Sequence, residues 1–442
     1  MKRRVVVTGL GVVAPNGIGV AAFEEALRSA RSGIRYVPKM KEVGLGCTVA
    51  GIPQGVDEAA ARRFRQEELL AMNSTLRYGS LAALEAWEDA GLERPEPNGD
   101  RVNWGTGAVI GTGIGGMDTV GETLVPLTDS GKSRRLGSTT VEKVMASGVS
   151  ACVSGLLALG NQVTTNSSAC ATGTEAIVLG AQRIRAGLAE RMLCGGSEGA
   201  SHYTFAAFDA MRVLCRAFND APERASRPMS ASARGFVPAC GAGVLVLEEL
   251  DSALARGARI YAEVLGGAVS CGGHRGGGSM TAPNPKGIRR CIRAALADAA
   301  IAADEVDAIS GHLTATGADP GEVEAWASAL ERGPGRLPWI TSTKSMIGHA
   351  LGAAGAVESV AAVLMLSGGF IHASVNCEDL HPEIVPYAAA VPHGLCNVPA
   401  LRTLIKAGFG FGDVNACVVF HAWDALAASR YSKTETRYEG RL

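Results

Sequence analysis

The sequence lacks an excess of charge of either sign. Its 442 residues include 42 Lys and Arg against 43 Asp and Glu, so the formal net charge is −1. Aromatic residues make up only 5% of the chain and charged residues 19%. Proteins that bind nucleic acid carry a basic surface or a clearly basic domain. We therefore expect no nucleic-acid partner.

Long apolar runs and paired cysteines are also missing. No run of about 18 apolar residues occurs, and even "GAVESVAAVLMLSGG" contains Glu358, so no membrane span is predicted. The start, "MKRRVVVTGLGVV", is typical of a first strand, since its apolar run is too short for a signal peptide. The eleven cysteines contain no CxxC pair. This argues against a disulfide framework or a structural zinc site, and it favours reduced thiols in the cytoplasm.

Glycine and small apolar residues are abundant instead, with 57 glycines and 47% hydrophobic residues. "QVTTNSSAC" is a candidate strand, and "GTEAIVLGAQRIRAGLAE" has apolar residues at helical spacing, such as Ile177, Ala181 and Ile184. "RMLCGG" follows as another strand. This strand–turn–helix–strand unit holds Cys170 at its turn.

A second unit repeats that design in "LPWITSTKSMIGHALGAAGAVESVAAVLMLSGG", where the strand ends at Thr343, Lys344 lies in the turn and His349 begins the helix. "RRVVVTGLGVVAPNG" and "RIYAEVLGGAVSCGG" are similar strands that open the two halves. We predict an internal duplication, with one half at 1–255, a second at 256–422 and a polar tail at 423–442. Alternating strands and helices indicate a layered α/β fold with mostly parallel or mixed sheets.

Cys170 is the first candidate for chemistry. A thiol at a helix N-terminus lies at the positive end of the helix dipole, which favours the thiolate. Its small neighbours Ala169, Ala171 and Gly173 leave room for a carbonyl group to approach. The alternative is a buried structural cysteine, which is the commoner role of a cysteine chosen at random.

Two histidines are the next candidates. His312 follows the strand "VDAIS", and active sites of α/β proteins commonly lie at the carboxyl ends of strands. His349 begins a helix, whose dipole would keep the imidazole neutral. For each, a satisfied structural histidine is the alternative. The glycine–aromatic turn in "KAGFGFGDVNACVVF" could hold an oxyanion with its backbone N–H groups, or it could be a plain hairpin.

One cysteine and two histidines fit a definite reaction. The thiolate takes an acyl group as a thioester, and two neutral imidazoles donate hydrogen bonds to the enolate of a second thioester. A Cys–His hydrolase would need only one histidine with an orienting carboxylate or amide.

At these residues the sequence resembles the β-ketoacyl-acyl-carrier-protein synthases, the condensing enzymes of fatty-acid and polyketide synthesis. The resemblance runs from about residue 3 to 421, in "VVVTGLGVVAPNG", "AVIGTGIGG", "MASGVSAC", "SSACATG", "GAGVLVLEEL", "STKSMIGHALGAAGAVE" and "GFGFG". "FNDAPERAS" is closer to the type I branch and "GTGIGG" to the type II branch. The resemblance implies a thiolase fold, with duplicated βαβαβ halves in a layered α-β-α-β-α arrangement, and a homodimer.

The resemblance also implies a role for individual residues. Cys170 matches the nucleophile, and His312 and His349 match the pair that promotes malonyl decarboxylation. Lys344 matches the motif lysine, and Glu322 matches the glutamate that partners it. The remaining matches are Thr314 and Thr316 on the phosphopantetheine arm, the amides of Cys170 and Phe411 in the oxyanion hole, Phe411 as the gate, and Ile114 and Phe409 near the substrate.

Partners follow from the same resemblance. The substrates arrive on the phosphopantetheine of an acyl carrier protein, so neither a metal nor a dissociable cofactor is expected. Acyl carrier proteins are acidic, and local basic clusters should receive them. The candidate docking residues are Arg62, Arg63, Arg65, Lys132, Arg134, Arg135 and Arg216. A basic cluster is otherwise a solvated face.

The sequence departs from the family pattern at two functional loops. Leu313 stands where glycine usually follows the first active histidine, and Asp413 stands where the gate loop usually has glycine.

Two alternative functions stay open. A degradative thiolase would use a second cysteine, which "GFGFGD" does not contain. A non-catalytic chain-length partner subunit would lose the nucleophile, whereas Cys170 is present.

Overall fold

The structure, a computed structural model, describes residues 3–97 and 99–424. Of the predicted polar tail at 423–442, only the first two residues lie within the described part. The strands are β1 Val5–Ala14, β2 Gly17–Ile18, β3 Ile34–Tyr36, β4 Val49–Gly51, β5 Thr106–Gly111, β6 Val163–Thr164, β7 Arg191–Glu198, β8 Gly241–Glu249, β9 Ala262–Cys271, β10 Ala308–Ser310, β11 Trp339–Thr341, β12 Phe370–Ile371, β13 Cys396–Asn397, β14 Thr403–Gly410 and β15 Val414–Ala422. The α-helices are α1 Val20–Arg28, α2 Pro38–Glu42, α3 Val56–Ala61, α4 Gln66–Leu70, α5 Ser74–Asp89, α6 Met117–Thr119, α7 Val125–Asp129, α8 Thr140–Val144, α9 Gly148–Leu157, α10 Thr172–Arg185, α11 His202–Ala210, α12 Leu250–Ala255, α13 Pro285–Ala299, α14 Asp319–Leu330, α15 Lys344–Ile347 and α16 Ala354–Gly368.

Two groups of five strands share one topology. The main sheet runs β11-β10-β14-β15-β9-β1-β8-β7-β5-β6. Counted along the chain within each half, both groups have the spatial order third, second, fourth, fifth, first, and the parallel and antiparallel pairings match. Two antiparallel residue pairs between β1 and β9 join the halves. The predicted duplication is confirmed.

Helices form three layers around these strands. α5 and α9 pack on the outer face of the first group, and α13, with α14 beside it, packs on the outer face of the second. α10 and α16 contact strands of both groups and each other, so they form the central layer. The layered α-β-α-β-α arrangement that the family resemblance implies is therefore present.

The position of β1 and α16 inside the layers explains why both are almost entirely apolar. All ten residues of β1 are buried, as expected for a strand covered on both faces. In α16, residues 354–366 are buried on every side, including Glu358. The stretch Leu351–Gly368 is long and apolar enough to cross a membrane by length and composition, but 89% of it is buried inside the protein. That burial is typical of a core helix.

A close approach between α10 and α16 sets the geometry of the centre. A Cβ on Gly173 would lie 2.4 Å from the backbone nitrogen of Ala356, and one on Gly355 would lie 2.3 Å from the Thr174 hydroxyl. Only glycine permits these separations, since real Cβ atoms do not approach other atoms so closely. The N-termini of the two helices are thereby brought together.

Candidate active site

Three loops at strand ends carry the predicted reacting groups. Cys170 lies in a single 3₁₀ turn, Ala169–Ala171, directly before α10. Ala169 has a left-handed backbone (φ +50°), a conformation that non-glycine residues adopt at a cost. His312 follows β10 by two residues, and His349 precedes the 3₁₀ turn that leads into α16. Lys344 begins the one-turn helix α15, whereas the sequence analysis had placed it in a turn after a longer strand.

The structure brings these groups into contact. The Nε2 atom of His349 lies 3.1 Å from the Sγ atom of Cys170. The rings of His312 and His349 are nearly perpendicular, with centroids 5.3 Å apart. One ligand atom from each of the three side chains lies within 4.8 Å of the others. Such a set could ligate a soft divalent metal, and it could equally serve as a nucleophile flanked by two hydrogen-bond donors.

Hydrogen bonding assigns the tautomer of His349. The backbone N–H of Leu351 donates to Nδ1 at 3.3 Å, so Nδ1 is the acceptor and the ring proton is on Nε2, facing the sulfur. Burial, followed by the nearby cations Lys344 and Lys406, holds the pKa of His349 well below its usual value. Burial and Lys344 do the same for the pKa of His312. Both imidazoles are neutral as expected, although burial and cations are the causes rather than a helix dipole.

The thiolate expected at Cys170 is not the resting state of this side chain. Burial raises the pKa of the Cys170 thiol to about 11, and the cation of Lys344 and the backbone amide of Phe411 oppose that rise only in part. The cost of placing a charged sulfur among apolar groups exceeds the stabilisation from the helix end. Cys170 therefore rests as a thiol.

A backbone amide also approaches the Cys170 sulfur. Phe411 lies in the turn between β14 and β15, and its N–H is close enough to the Cys170 thiol to lower the thiol pKa. A Cβ on Gly410 would lie 3.0 Å from the amide nitrogen of Cys170, which shows how closely the two turns meet. The amides of Cys170 and Phe411 are therefore near each other, as an oxyanion hole requires.

Glu322 does not form the ion pair that the sequence analysis assigned to it. Its carboxylate oxygens accept hydrogen bonds from the backbone N–H groups of His312 (2.6 Å) and Leu313 (2.8 Å). Burial raises the pKa of Glu322 to about 7. Lys344 instead lies 2.5 Å from a carboxylate oxygen of Glu358. Glu322 therefore holds the His312 loop through two backbone hydrogen bonds. Glu358 takes its place as the ion-pair partner of Lys344.

Leu313 and Asp413, the two departures from the family pattern, both have a left-handed backbone and are buried. Leu313 adopts a positive φ of +23° and its side chain is fully buried in the core, so the loop keeps a conformation that suits glycine. Asp413, also left-handed at φ +58°, is buried. Its carboxylate accepts hydrogen bonds from the backbone N–H groups of His274 (3.0 Å) and Asn284 (2.8 Å). Asp413 thus ties the gate turn to the glycine-rich loop before α13.

A cavity of about 480 Å³ leads to the reacting groups, and most of its wall is apolar. Thr314 and Thr316, whose hydroxyl oxygens are 3.0 Å apart, line it as predicted. Further lining residues are Cys170, His312, His349, Phe409, Phe411, Phe208, Met211, Val213 and Phe236. Ile114 is not among the lining residues, and its side chain is 42% exposed. The contact of Ile114 with the acyl pocket stays a prediction.

Sequence analysis missed two charged residues behind the histidines. Glu358 of α16 and Lys406 of β14 are both fully buried, and Lys406 lies 2.6 Å from Glu358. Each is the only charged residue in its apolar segment. Isolated opposite charges in two buried elements are a signal that could have predicted the pair.

Several of the candidate docking arginines are already paired. The ion pairs are Arg63–Glu88 at 2.5 Å, Arg65–Glu67 at 2.8 Å and Arg216–Asp209 at 2.8 Å. Lys132, Arg134 and Arg135 are exposed and form no ion pair within the part of the chain that the structure describes. Arg62 is also exposed and has no ion pair among the described residues. The second cluster, Lys132, Arg134 and Arg135, is therefore the one in which no member is neutralised by an acidic neighbour in the described chain.

Comparison with known families identifies this arrangement. The sequence models of the β-ketoacyl synthase N-terminal and C-terminal domains match residues 2–253 and 261–378. The chain belongs to the β-ketoacyl synthase family. It is a condensing enzyme and an acyltransferase.

Individual ketosynthases resemble the chain over nearly its whole length. The 3-oxoacyl-[acyl-carrier-protein] synthase 1 of Haemophilus influenzae is 34% identical over 96% of this chain and 100% of its own. The enzyme of the same name from Escherichia coli is 34% identical over 94% and 98%. A type II polyketide ketosynthase solved with its acyl carrier protein superimposes with a TM-score of 0.84, at 30% identity over 96% of this chain and 100% of its own. A β-ketoacyl synthase from Burkholderia phymatum gives 0.86, at 28% identity and the same coverage.

Proposed function

We propose that this ketosynthase joins an acyl group held on Cys170 to a two-carbon unit from malonyl-acyl-carrier-protein, releasing CO₂ and β-ketoacyl-acyl-carrier-protein. The observation that carries the proposal is the contact of one thiol with two neutral imidazoles at the end of an apolar cavity. The complete set of reacting groups disfavours a non-catalytic partner subunit.

The first half-reaction loads the enzyme. The Cys170 sulfur attacks the acyl thioester carbonyl, and the oxyanion is held between the amides of Cys170 and Phe411. The carbon–sulfur bond to the phosphopantetheine breaks, and the proton of the Cys170 thiol ends on the released pantetheine thiol. Because His349 carries its proton on Nε2, it acts as a donor toward the sulfur and the oxyanion rather than as a base.

The second half-reaction forms the new bond. The malonyl carboxylate leaves as CO₂, and the electron pair of the broken carbon–carbon bond becomes an enolate that His312 and His349 stabilise by hydrogen bonding. The enolate carbon attacks the Cys170 thioester, and the Cys170 thiolate departs and takes a proton from solvent. Only neutral imidazoles can occupy this site without repulsion from Lys344 and Lys406, which both depress the histidine pKa values.

An acyl carrier protein is the partner we propose for both steps. A solved relative is a ketosynthase bound to its carrier protein. The unpaired, exposed cluster Lys132, Arg134 and Arg135 is the surface that we assign to the acidic carrier. No dissociable cofactor is needed, because the carrier brings its own pantetheine arm. All eleven cysteines are free thiols, which agrees with a cytoplasmic location.

A second copy of the chain is the partner we propose at β6. Among the described strands β6 pairs only with β5, so its other edge is free. Near this edge Trp104 is 73% exposed and contacts the Gly160 region. A free strand edge beside exposed apolar surface favours pairing with an identical edge across a twofold axis. Sedimentation equilibrium should give twice the 45.4 kDa chain mass, and a monomer at micromolar concentration would contradict the dimer.

Intact-protein mass spectrometry tests the main proposal. The enzyme is mixed with acyl-carrier thioesters of several lengths and then with malonyl-carrier. We expect one acyl adduct, on Cys170, that disappears as β-ketoacyl product forms. If no acyl donor gives an adduct, this protein is instead a non-catalytic partner subunit.

Replacing the nucleophile makes the test specific. Cys170→Ala should abolish the adduct and condensation while leaving part of the malonyl decarboxylation, because both imidazoles remain. The matched variant His312→Ala should keep the adduct and lose decarboxylation. Acyl-chain elongation by Cys170→Ala would show that the nucleophile is another residue.

A further inference from the structure

A buried group of three charges lies behind the two histidines. Lys344, Glu358 and Lys406 come from α15, α16 and β14, and each is at most 1% exposed. One Glu358 oxygen lies 2.5 Å from the Lys344 ammonium, and the other lies 2.6 Å from that of Lys406. Buried charges are normally compensated one for one. Here two cations share one anion. The buried Glu322 carboxyl group also interacts electrostatically with both lysines, and burial raises its pKa to about 7.

The surroundings of Lys406 favour its charged form. Its Nζ atom has three oxygen neighbours, which are a Glu358 carboxylate oxygen and the carbonyls of Gly311 (3.4 Å) and Ala407. An ammonium group offers three N–H donors, whereas a neutral amine would turn a lone pair toward one of these acceptors. Burial lowers the pKa of Lys406, and the adjacent Glu358 carboxylate opposes that change.

The position of Lys406 connects it to one of the two histidines. Lys406 is in register with Ser310 of β10, and its ammonium group contacts the carbonyl of Gly311, the residue directly before His312. The Glu322 carboxyl group accepts a hydrogen bond from the backbone N–H of His312. The strand end that carries His312 is therefore held by a buried cation and a buried carboxyl group.

The two lysines differ in what they influence. Lys344 is the largest opposing charge to the raised thiol pKa of Cys170, and Lys406 is not among the main influences on that thiol. Both cations depress the pKa values of His312 and His349. Lys406 thus acts mainly on the two imidazoles, whereas Lys344 acts on the imidazoles and on the thiol.

We propose that Lys406 is a positioning residue for malonyl decarboxylation, which holds the His312 loop and places a second positive charge, beside that of Lys344, behind the two imidazoles. The positive charge stabilises the negative enolate, and the two imidazoles donate hydrogen bonds to the enolate oxygen. Acyl transfer to Cys170 does not depend on it. This inference rests on the proposed condensing function and assigns a residue outside the cavity wall to its second half-reaction.

Separate assays of the two half-reactions test the inference. Lys406→Met removes the charge and the hydrogen bond, and Lys406→Gln removes the charge but keeps an N–H donor toward Gly311. Both variants leave the Lys344–Glu358 ion pair in place. Acyl-adduct formation on Cys170 is followed by mass spectrometry, and malonyl-carrier decarboxylation by CO₂ release.

We expect Lys406→Met to lower kcat for decarboxylation about tenfold or more, equivalent to about 1.4 kcal/mol, with KM for malonyl-carrier and the acylation rate within about threefold of wild type. The kcat of Lys406→Gln for decarboxylation should lie between those of wild type and Lys406→Met. Lys344→Met is the matched comparison, and it should slow both half-reactions because it also affects the thiol.

Three outcomes would overturn the inference: unchanged decarboxylation, an equal loss in both half-reactions, or failure of both Lys406 variants to fold. The last would make Lys406 a structural group. A wild-type enzyme that neither forms the adduct nor releases CO₂ would instead reject the proposed function itself.

Discussion

At the scale of single residues, burial decides the charge states of the site. A cysteine at a helix N-terminus is expected to ionise easily, but desolvation raises the pKa of Cys170 to about 11. The same burial lowers the pKa values of the two histidines. The resting site is therefore neutral at its reacting atoms, and its fixed charges lie behind them on Lys344, Glu358 and Lys406.

Alkylation of the free enzyme measures this directly. The thiolate reacts with iodoacetamide, so the rate at Cys170 should rise about tenfold per pH unit at least up to pH 9. Lys344→Met should slow the reaction at fixed pH, since loss of that cation raises the thiol pKa further. Peptide mass spectrometry separates Cys170 from the exposed Cys271, which serves as the internal reference. A rate at Cys170 that levels off below pH 8 would contradict the raised pKa.

At the scale of elements, the crossing of α10 and α16 builds the site. Cys170 and His349 are 179 positions apart in the chain, and they meet because the two helices start side by side in the central layer. The crossing depends on Gly173, where a Cβ would lie 2.4 Å from the Ala356 nitrogen. The separation of these helices and the contact between thiol and imidazole are therefore linked.

Gly173→Ala should disturb both stability and catalysis. The added methyl group must push α16 away, at a cost of roughly 1–3 kcal/mol in the free energy of unfolding. The same shift should lengthen the contact of His349 with Cys170 and lower the condensation rate. Gly321→Ala is the control for stability alone, because that helical position has open space around it, on the cavity side, and alanine there should be neutral or stabilising. Equal denaturation midpoints for the two variants would contradict a tight crossing.

At the scale of the whole molecule, a net charge of −1 cannot attract an acidic carrier protein. Recognition must come from a local surface, and pairing has neutralised much of the basic charge at Arg63, Arg65 and Arg216. The cluster at 132–135 keeps its charge. Long-range attraction between this cluster and an acidic partner should raise the association rate and weaken with salt.

Charge reversal tests the docking surface. The double variant Arg134→Glu/Arg135→Glu should raise KM for malonyl-carrier about tenfold or more, with little change in kcat once the carrier saturates the enzyme. Its activity with malonyl-pantetheine, which lacks the carrier, should match that of wild type. Arg336→Glu, exposed before the amino end of β11 and away from the Lys344 end, is the control. An equal effect of both variants would show that net charge rather than this surface matters.

Local patterns in the sequence were sufficient to predict the layered α/β fold, its duplication and the three reacting groups. Helical spacing after Cys170, apolar strands such as β1 and β9, and polar residues at strand ends are properties of neighbouring residues. The motifs around Cys170, His312 and His349 each lie within one short segment, and the structure brings these three side chains together.

Only the tertiary structure decided which groups pair and which are charged. Lys344 pairs with Glu358 rather than Glu322, Lys406 enters the same cluster, and Ile114 lies outside the cavity. The helix N-terminus predicted a lowered thiol pKa at Cys170, but burial raises it, and that burial comes from elements far away in the chain. Ion pairing and desolvation are set by distances between segments, and those distances exist only once the two halves have packed around α10 and α16.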